Sequence, residues 1–136
     1  MAAAPLQIGL VAGEASGDIL GGAVLGAVAQ RHPLQVSGIG GPRMAQHGLA
    51  SLQPMDRLSV FGFAEPLKRL PELLHIRRQV IAQQCASRPD VFLGIDAPDF
   101  NLGVEERLKS EGIPTAHLVS PSVWAWRAGR IRKIRR

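Results

Sequence analysis

Apolar and polar positions fall along this chain in blocks with two different periods. The run LQIGLVA at 6–12 is apolar almost throughout, the pattern of a strand buried on both faces, and it breaks at Gly13. Ser16 can cap a helix over 17–31 whose first turn carries Asp18, a charge suited to the positive end of the helix dipole. Small residues give that helix a thin, glycine-rich face able to approach a sheet closely. After Pro33, residues 34–39 predict a second strand, and GGP at 40–42 turns the chain into a short helix reaching Gln46 and His47. Residues 50–62 have no clear period, although Leu58, Val60 and Phe61 mark a short buried piece. Leu67, Leu70, Leu73, Leu74, Ile76, Val80 and Ile81 recur at three- and four-residue spacing and predict a helix over 63–87, with Pro66 and Pro71 in first turns or at a kink. VFLGI at 91–95 predicts the next strand. DAPD at 96–99 breaks it, and a helix carrying Val104 and Leu108 then runs to Gly112. Residues 115–119 predict one more strand, SPS at 120–122 a turn, and the basic segment after Trp124 a helix.

Strands alternating with helices over short links specify an α/β fold with a mostly parallel sheet and right-handed crossovers. Ligands of such sheets sit beyond the carboxyl ends of the strands. That rule selects the loops at 13–18, 40–43, 96–101 and 120–126, all expected on one rim. With 136 residues, 46% of them hydrophobic and 20% charged, the chain is expected to fold as one domain with its own core. The lone Cys85 excludes a disulfide framework and a cysteine zinc cluster, and fits a cytoplasmic protein. No basic leader precedes an apolar core, and no stretch approaches the ~18 apolar residues of a membrane span, so neither export nor spanning is expected. The pI near 10.7 suggests a nucleic-acid partner until the charges are located. Six bases (Arg127, Arg130, Arg132, Lys133, Arg135 and Arg136) lie in the last ten residues, and without them ten bases face eleven acids. A terminal basic patch on a near-neutral body suits an anionic ligand or membrane surface, or is a solvated helix face; nucleic acid is the least favoured partner. The sequence also stops at Arg136 inside a predicted helix, with no cap, glycine or proline after Ile131 and Ile134, so truncation is expected.

The loops differ in what they can do. GEASGD at 13–18 is neither G-x-G-x-x-G nor a P-loop, since no lysine follows, and this excludes a dinucleotide or ATP reading. The free amides of a helix N-terminus could still take a polar ligand, and because Glu14 and Asp18 repel phosphate, a neutral hydroxyl-rich ligand fits better. A tight strand-to-helix turn with a serine cap is the plainer alternative. Arg43 beside Gly40 and Gly41 could contact an oxyanion, or the segment is only a turn. Asp96 directly follows an apolar strand, where partial burial can raise a carboxyl pKa above the ~3.9 of a free aspartate and make it a better general base. It could equally be a loop carboxylate satisfying backbone amides. Asp99 is the alternative base or a helix N-cap, with Asn101 in the first turn. Trp124 and Trp126 could stack on sugar or cover acyl chains, or serve as core anchors. His32, His47, His75 and His117 have no metal-type spacing and read as surface or supporting groups. Met44 and Met55 read as core, and Cys85 as a buried helix residue.

Four motifs in fixed order, GEASGD (13–18) with Leu20 and Gly21, GIGGPRM (38–44), GIDAPDFN (94–101) and VSPSVWAW (119–126), closely resemble the N-terminal part of the bacterial lipid-A-disaccharide synthases. The resemblance runs from about Gly9 to Arg136. It implies that residues 1–136 form the acceptor-side, Rossmann-like domain of an inverting GT-B glycosyltransferase, with the UDP-sugar domain absent. The family's reaction joins UDP-2,3-diacylglucosamine to 2,3-diacylglucosamine 1-phosphate (lipid X), gives lipid A disaccharide 1-phosphate and UDP, and uses no metal or cofactor. By the same resemblance Asp96 is the catalytic base, while Glu14, Ser16, Asp18, Asp99 and Asn101 are substrate-binding candidates on the acceptor side. It further implies peripheral attachment to the inner membrane, to which the tail bases and Phe61-Gly62-Phe63 could contribute, and inactivity of the chain alone. The competing class is a non-catalytic α/β module binding an anionic lipid or sugar phosphate.

Overall fold

The computed structural model describes residues 4–58 and 70–118. Strand β1 (Leu6–Ala12) leads into helix α1 (Ala15–Ala29), then β2 (Leu34–Ile39), the single-turn helix α2 (Pro42–Ala45) and a 3₁₀ turn at Met55–Arg57. Helix α3 (Leu70–Ser87), β3 (Val91–Ile95), α4 (Pro98–Ser110) and β4 (Thr115–Leu118) complete the described order. Among the described residues all strand pairings are parallel and the strand order is β2-β1-β3-β4. The expected α/β fold and parallel sheet are therefore present.

Because side chains alternate across a strand, β1 supplies two cores at once. Ile8, Leu10 and Ala12 join Leu25, Met44, Leu49 and Ile95 beneath α1 and α2. Val11 points the other way and joins Ile76, Val80, Phe92, Phe100, Val104 and Leu108 beneath α3 and α4. This double burial explains why the strands are near-continuous apolar runs. Register matches large to small: Gly9 lies opposite Phe92, and a Cβ there would sit 3.0 Å from the ring and into the side chain of the buried Gln84. Gln84 spends its amide nitrogen on the Ser37 hydroxyl, 3.0 Å away.

Helix α1 approaches the sheet as its small residues anticipate. A Cβ on Gly21 would lie 2.6 Å from Met44 Cε and 2.9 Å from Ile95 Cδ1, and one on Gly22 would lie 2.9 Å from Arg43 Cβ. The expected serine cap is absent: Asp18 N–H donates to Glu14 O at 3.0 Å, so the first turn closes on Glu14 and the helix starts at Ala15. Asp99 likewise is not the cap of α4; that position belongs to Ala97, followed by Pro98 at the first helical position. The irregular stretch contains the 3₁₀ turn and the buried Leu58. Val60 and Phe61, the start of the helix expected over 63–87, Val119 and the tryptophan and tail segments lie outside the described residues.

Gly38 has φ +131° and lies against β1 so tightly that a Cβ would fall on Leu10 O. Gly38→Ala should cost about 3 kcal/mol, strain and overpacking together; urea unfolding of the two chains measures it, and an unchanged midpoint would show that β2 does not need this approach.

Candidate active site

The chain leaves β1 toward β2 on one side and returns to β3 on the other, so the strand order reverses between β1 and β3. Loops leaving such a switch point diverge and leave a crevice at the carboxyl ends of the strands. A cavity of about 250 Å³ occupies this place, lined by Gly13 and Glu14 after β1, by Asp96, Ala97, Pro98 and Asp99 after β3, and by Leu58.

The loop after β3 has an unusual backbone. Asp96 (φ 51°) and Ala97 (φ 42°) are consecutive non-glycine residues in the left-handed region, a conformation costing of order 1–3 kcal/mol per residue unless its surroundings enforce it. They are enforced from both sides. Asp96 N–H donates to Leu118 O at 3.0 Å, tying the loop to the end of β4. The Asn101 amide nitrogen donates to Asp96 O at 2.9 Å, Val11 O at 3.1 Å and, at 3.4 Å, Ile95 O. The main chain of Asp96 is thus held at its N–H and its C=O. Its carboxylate, half-buried on the cavity wall, has no hydrogen-bond partner among the described residues.

The six candidates separate into three groups. Glu14, Asp96 and Asp99 meet on the cavity wall. Ser16 is exposed on the first turn of α1 and does not line the cavity. Asp18 and Asn101 are buried, at 2% and 0% exposure, and the described partners of both side chains are main-chain groups. The Asp18 carboxylate accepts from Gly41 N–H (2.9 Å), Arg43 N–H (2.9 Å) and Met44 N–H (3.0 Å), capping α2 from another helix. Arg43 is exposed and does not line the cavity.

Sequence reasoning missed Leu58 as a cavity wall and a buried pair behind the site, in which His117 Nδ1 lies 3.0 Å from Glu105 Oε2. Gly94 makes room for that pair, since a Cβ there would lie 2.9 Å from Glu105 Cδ. Five-residue spacing from the buried Phe100 gave no warning of a buried Glu105. His117 therefore supports the end of β4, in line with its reading as a supporting group, while His32 and His75 are exposed. Met44 is fully buried, and Met55 and Cys85 are partly buried against the core. Among the described residues no three His, Cys, Asp or Glu side chains converge to hold a metal, and no helix is long and apolar enough to cross a membrane.

A crevice at the switch point of a doubly covered parallel sheet, with carboxylates on its wall, defines the class: a Rossmann-like α/β domain with a candidate ligand site at the strand ends. The family is visible in the sequence itself. The family model described as lipid-A-disaccharide synthetase matches residues 8–136, and the chain belongs to that family. It is 58% identical over 131 residues to the lipid-A-disaccharide synthase of Pseudomonas paraeruginosa (strain DSM 24068 / PA7), covering 96% of this chain and 35% of that protein. Identity to the synthase of Saccharophagus degradans is 56% over 129 residues, covering 94% and 33%. For Chromobacterium violaceum it is 55% over 132 residues, covering 96% and 34%. The chain spans about a third of the length of these curated relatives.

Two substitutions probe the buried groups. Asp18→Ala strands three amides and should cost about 3 kcal/mol by urea unfolding, whereas a loss below about 0.5 kcal/mol would mean that water replaces the carboxylate. Asn101→Leu removes the donor to three carbonyls and should destabilise by about 2–4 kcal/mol; amide exchange should then rise first in the loop at 96–99, and unaltered exchange there would refute the clamp.

Proposed function

We propose that this chain is the acceptor-side domain of an inverting GT-B glycosyltransferase, in which Asp96 is the general base. The reaction is condensation of UDP-2,3-diacylglucosamine with 2,3-diacylglucosamine 1-phosphate. The observation that carries the reading is the Asp96 carboxylate, fixed through its main chain yet without a partner among the described residues on a cavity wall. A base must reach the proton it removes and must not be neutralised by the protein first.

In this mechanism Asp96 accepts the proton of the acceptor 6-hydroxyl as that oxygen attacks the donor's anomeric carbon. The bond from that carbon to the UDP oxygen breaks, UDP leaves with the electron pair, and the configuration inverts to a β-1,6 linkage. Glu14 and Asp99 accept hydrogen bonds from the acceptor's hydroxyls, and Ser16, exposed on the first turn of α1, is a further binding candidate. Charge also orients the acceptor. The Glu14 and Asp96 carboxylates on the wall repel its 1-phosphate, so the neutral 6-hydroxyl end enters and the phosphate points away. Asp18 and Asn101, carried over by motif as binding residues, act through the loops they hold. Donor contacts fall to the part of the relatives beyond the span matched here. Acylated substrates place the enzyme at the anionic inner-membrane surface, with the tail bases supplying attraction.

The test uses this chain alone and joined to the remaining two thirds of the Pseudomonas paraeruginosa synthase. The chain alone should form no disaccharide, and the joined protein should. Asp96→Asn in the joined protein should lower kcat by about 10²–10⁴ with the acceptor KM within a few-fold, because the change is isosteric. Undiminished turnover would remove Asp96 from the chemistry, and acceptor binding without any turnover in the unsubstituted joined protein would favour the binding-module reading.

A further inference from the structure

The outer helical layer carries a second cavity unrelated to the crevice. Helices α3 and α4 pack side by side on one face of the sheet, and a groove of about 530 Å³ between them is lined by Arg77, Arg78, Ile81, Ala82, Gly103 and Arg107. The spacing explains the convergence. Residues 77 and 81, 78 and 82, and 103 and 107 are four apart, so each pair is stacked on one face of its helix. Among the described residues no acidic side chain lines the groove.

The guanidiniums are not used up by the fold. Neither Arg77 nor Arg78 is paired with a carboxylate among the described residues. Arg107 lies 3.3 Å from Glu111, but with side chains 61% and 40% exposed that pair is readily exchanged for another anion. Gly103 provides the space: a Cβ there would lie 2.8 Å from Arg77 Nη1, so the absent side chain lets that guanidinium reach across α4. Nor is the cluster a by-product of a basic protein, because outside the last ten residues acids slightly outnumber bases. Planar guanidiniums beside the apolar Ile81 and Ala82 suit the tetrahedral oxygens of a phosphoryl group, which they bind by paired, charge-assisted hydrogen bonds. The volume also lies in the range of small-ligand sites.

We propose that the α3–α4 groove is a phosphoryl-anion site, filled by Arg77, Arg78 and Arg107 binding the phosphate of a phospholipid headgroup or of a soluble phosphate ester. The site is separate from the Asp96 crevice, and its existence does not depend on the proposed reaction.

The 136-residue chain is tested with two probes, pyrophosphate by calorimetry and vesicles of phosphatidylglycerol mixed with phosphatidylcholine by flotation, with pure phosphatidylcholine as the control. The triple variant Arg77→Gln, Arg78→Gln, Arg107→Gln should weaken binding on the order of tenfold or more. Gly103→Leu, which keeps every charge but fills the groove, should also weaken it, and circular dichroism checks that both variants keep their helices. Pyrophosphate binding that both variants lose identifies a soluble phosphate ester; vesicle binding alone, lost in both, identifies a headgroup. The proposal is overturned if the unsubstituted chain binds neither probe. It is also overturned if the triple variant binds as well as the parent, or if Gly103→Leu retains full affinity, since diffuse charge then suffices.

Discussion

A single buried amide ties the end of the sheet together. Asn101 donates to main-chain oxygens near the end of β1, at the end of β3 and in the loop between β3 and α4. Val11 is next to last in β1 and Ile95 is last in β3, so the amide sits where both strands are about to end. By bonding all three, the amide fixes the separation of the two loops that wall the crevice. The left-handed pair at Asp96 and Ala97 persists because this donor and Leu118 O hold the loop from opposite sides. Strain at the loop and satisfaction beneath it are therefore one arrangement.

The Asp18 carboxylate does the corresponding work on the other half of the sheet. Pro42 begins α2, so the amides of the following turn need an acceptor from outside that helix. Glycines at 17, 21 and 22 bring α1 close enough to the sheet and α2 for Asp18 to provide it. A side chain at 41 would collide with the same carboxylate, its Cβ lying 2.6 Å from Asp18 Oδ2. The GEASGD and GIGGPRM motifs thus meet through an acid of one and the amides of the other, which gives the conjunction of these motifs a structural reason apart from any ligand.

Strands were legible because burial on both faces leaves its mark locally: LQIGLVA and VFLGI are bounded as their apolar runs predict. The start of α1 was not. Alanine and glycine surround that helix with no sharp apolar stripe, so nothing near Ser16 reports that the first turn closes on Glu14. Within the site, the loops were legible and the duties of their side chains were not. The partners of Asp18 lie 23 to 26 residues away, and one of those of Asn101 lies 90 away. Whether an acid faces a cavity or a main chain depends on what the fold brings to it, which no local pattern contains.

Two aspartates of the same rim show how that choice is made. Asp18 is buried where three amides converge, and a carboxylate taken from water into such a place stays charged only by accepting them. Asp96 is offered much less. Its own N–H is spent on Leu118 O, Pro98 has no N–H, and those of Phe100 and Asn101 close the first turn of α4 on Ala97 O. The side-chain amide of Asn101 is drawn to the carbonyl of Asp96 instead of its carboxylate. With these donors occupied or missing, the side chain stays half-buried at the cavity and turns to whatever fills it. A carboxylate left without a partner among the described residues is thus a matter of where the loop places its hydrogens, and the proline and the left-handed turn beside Asp96 keep them elsewhere.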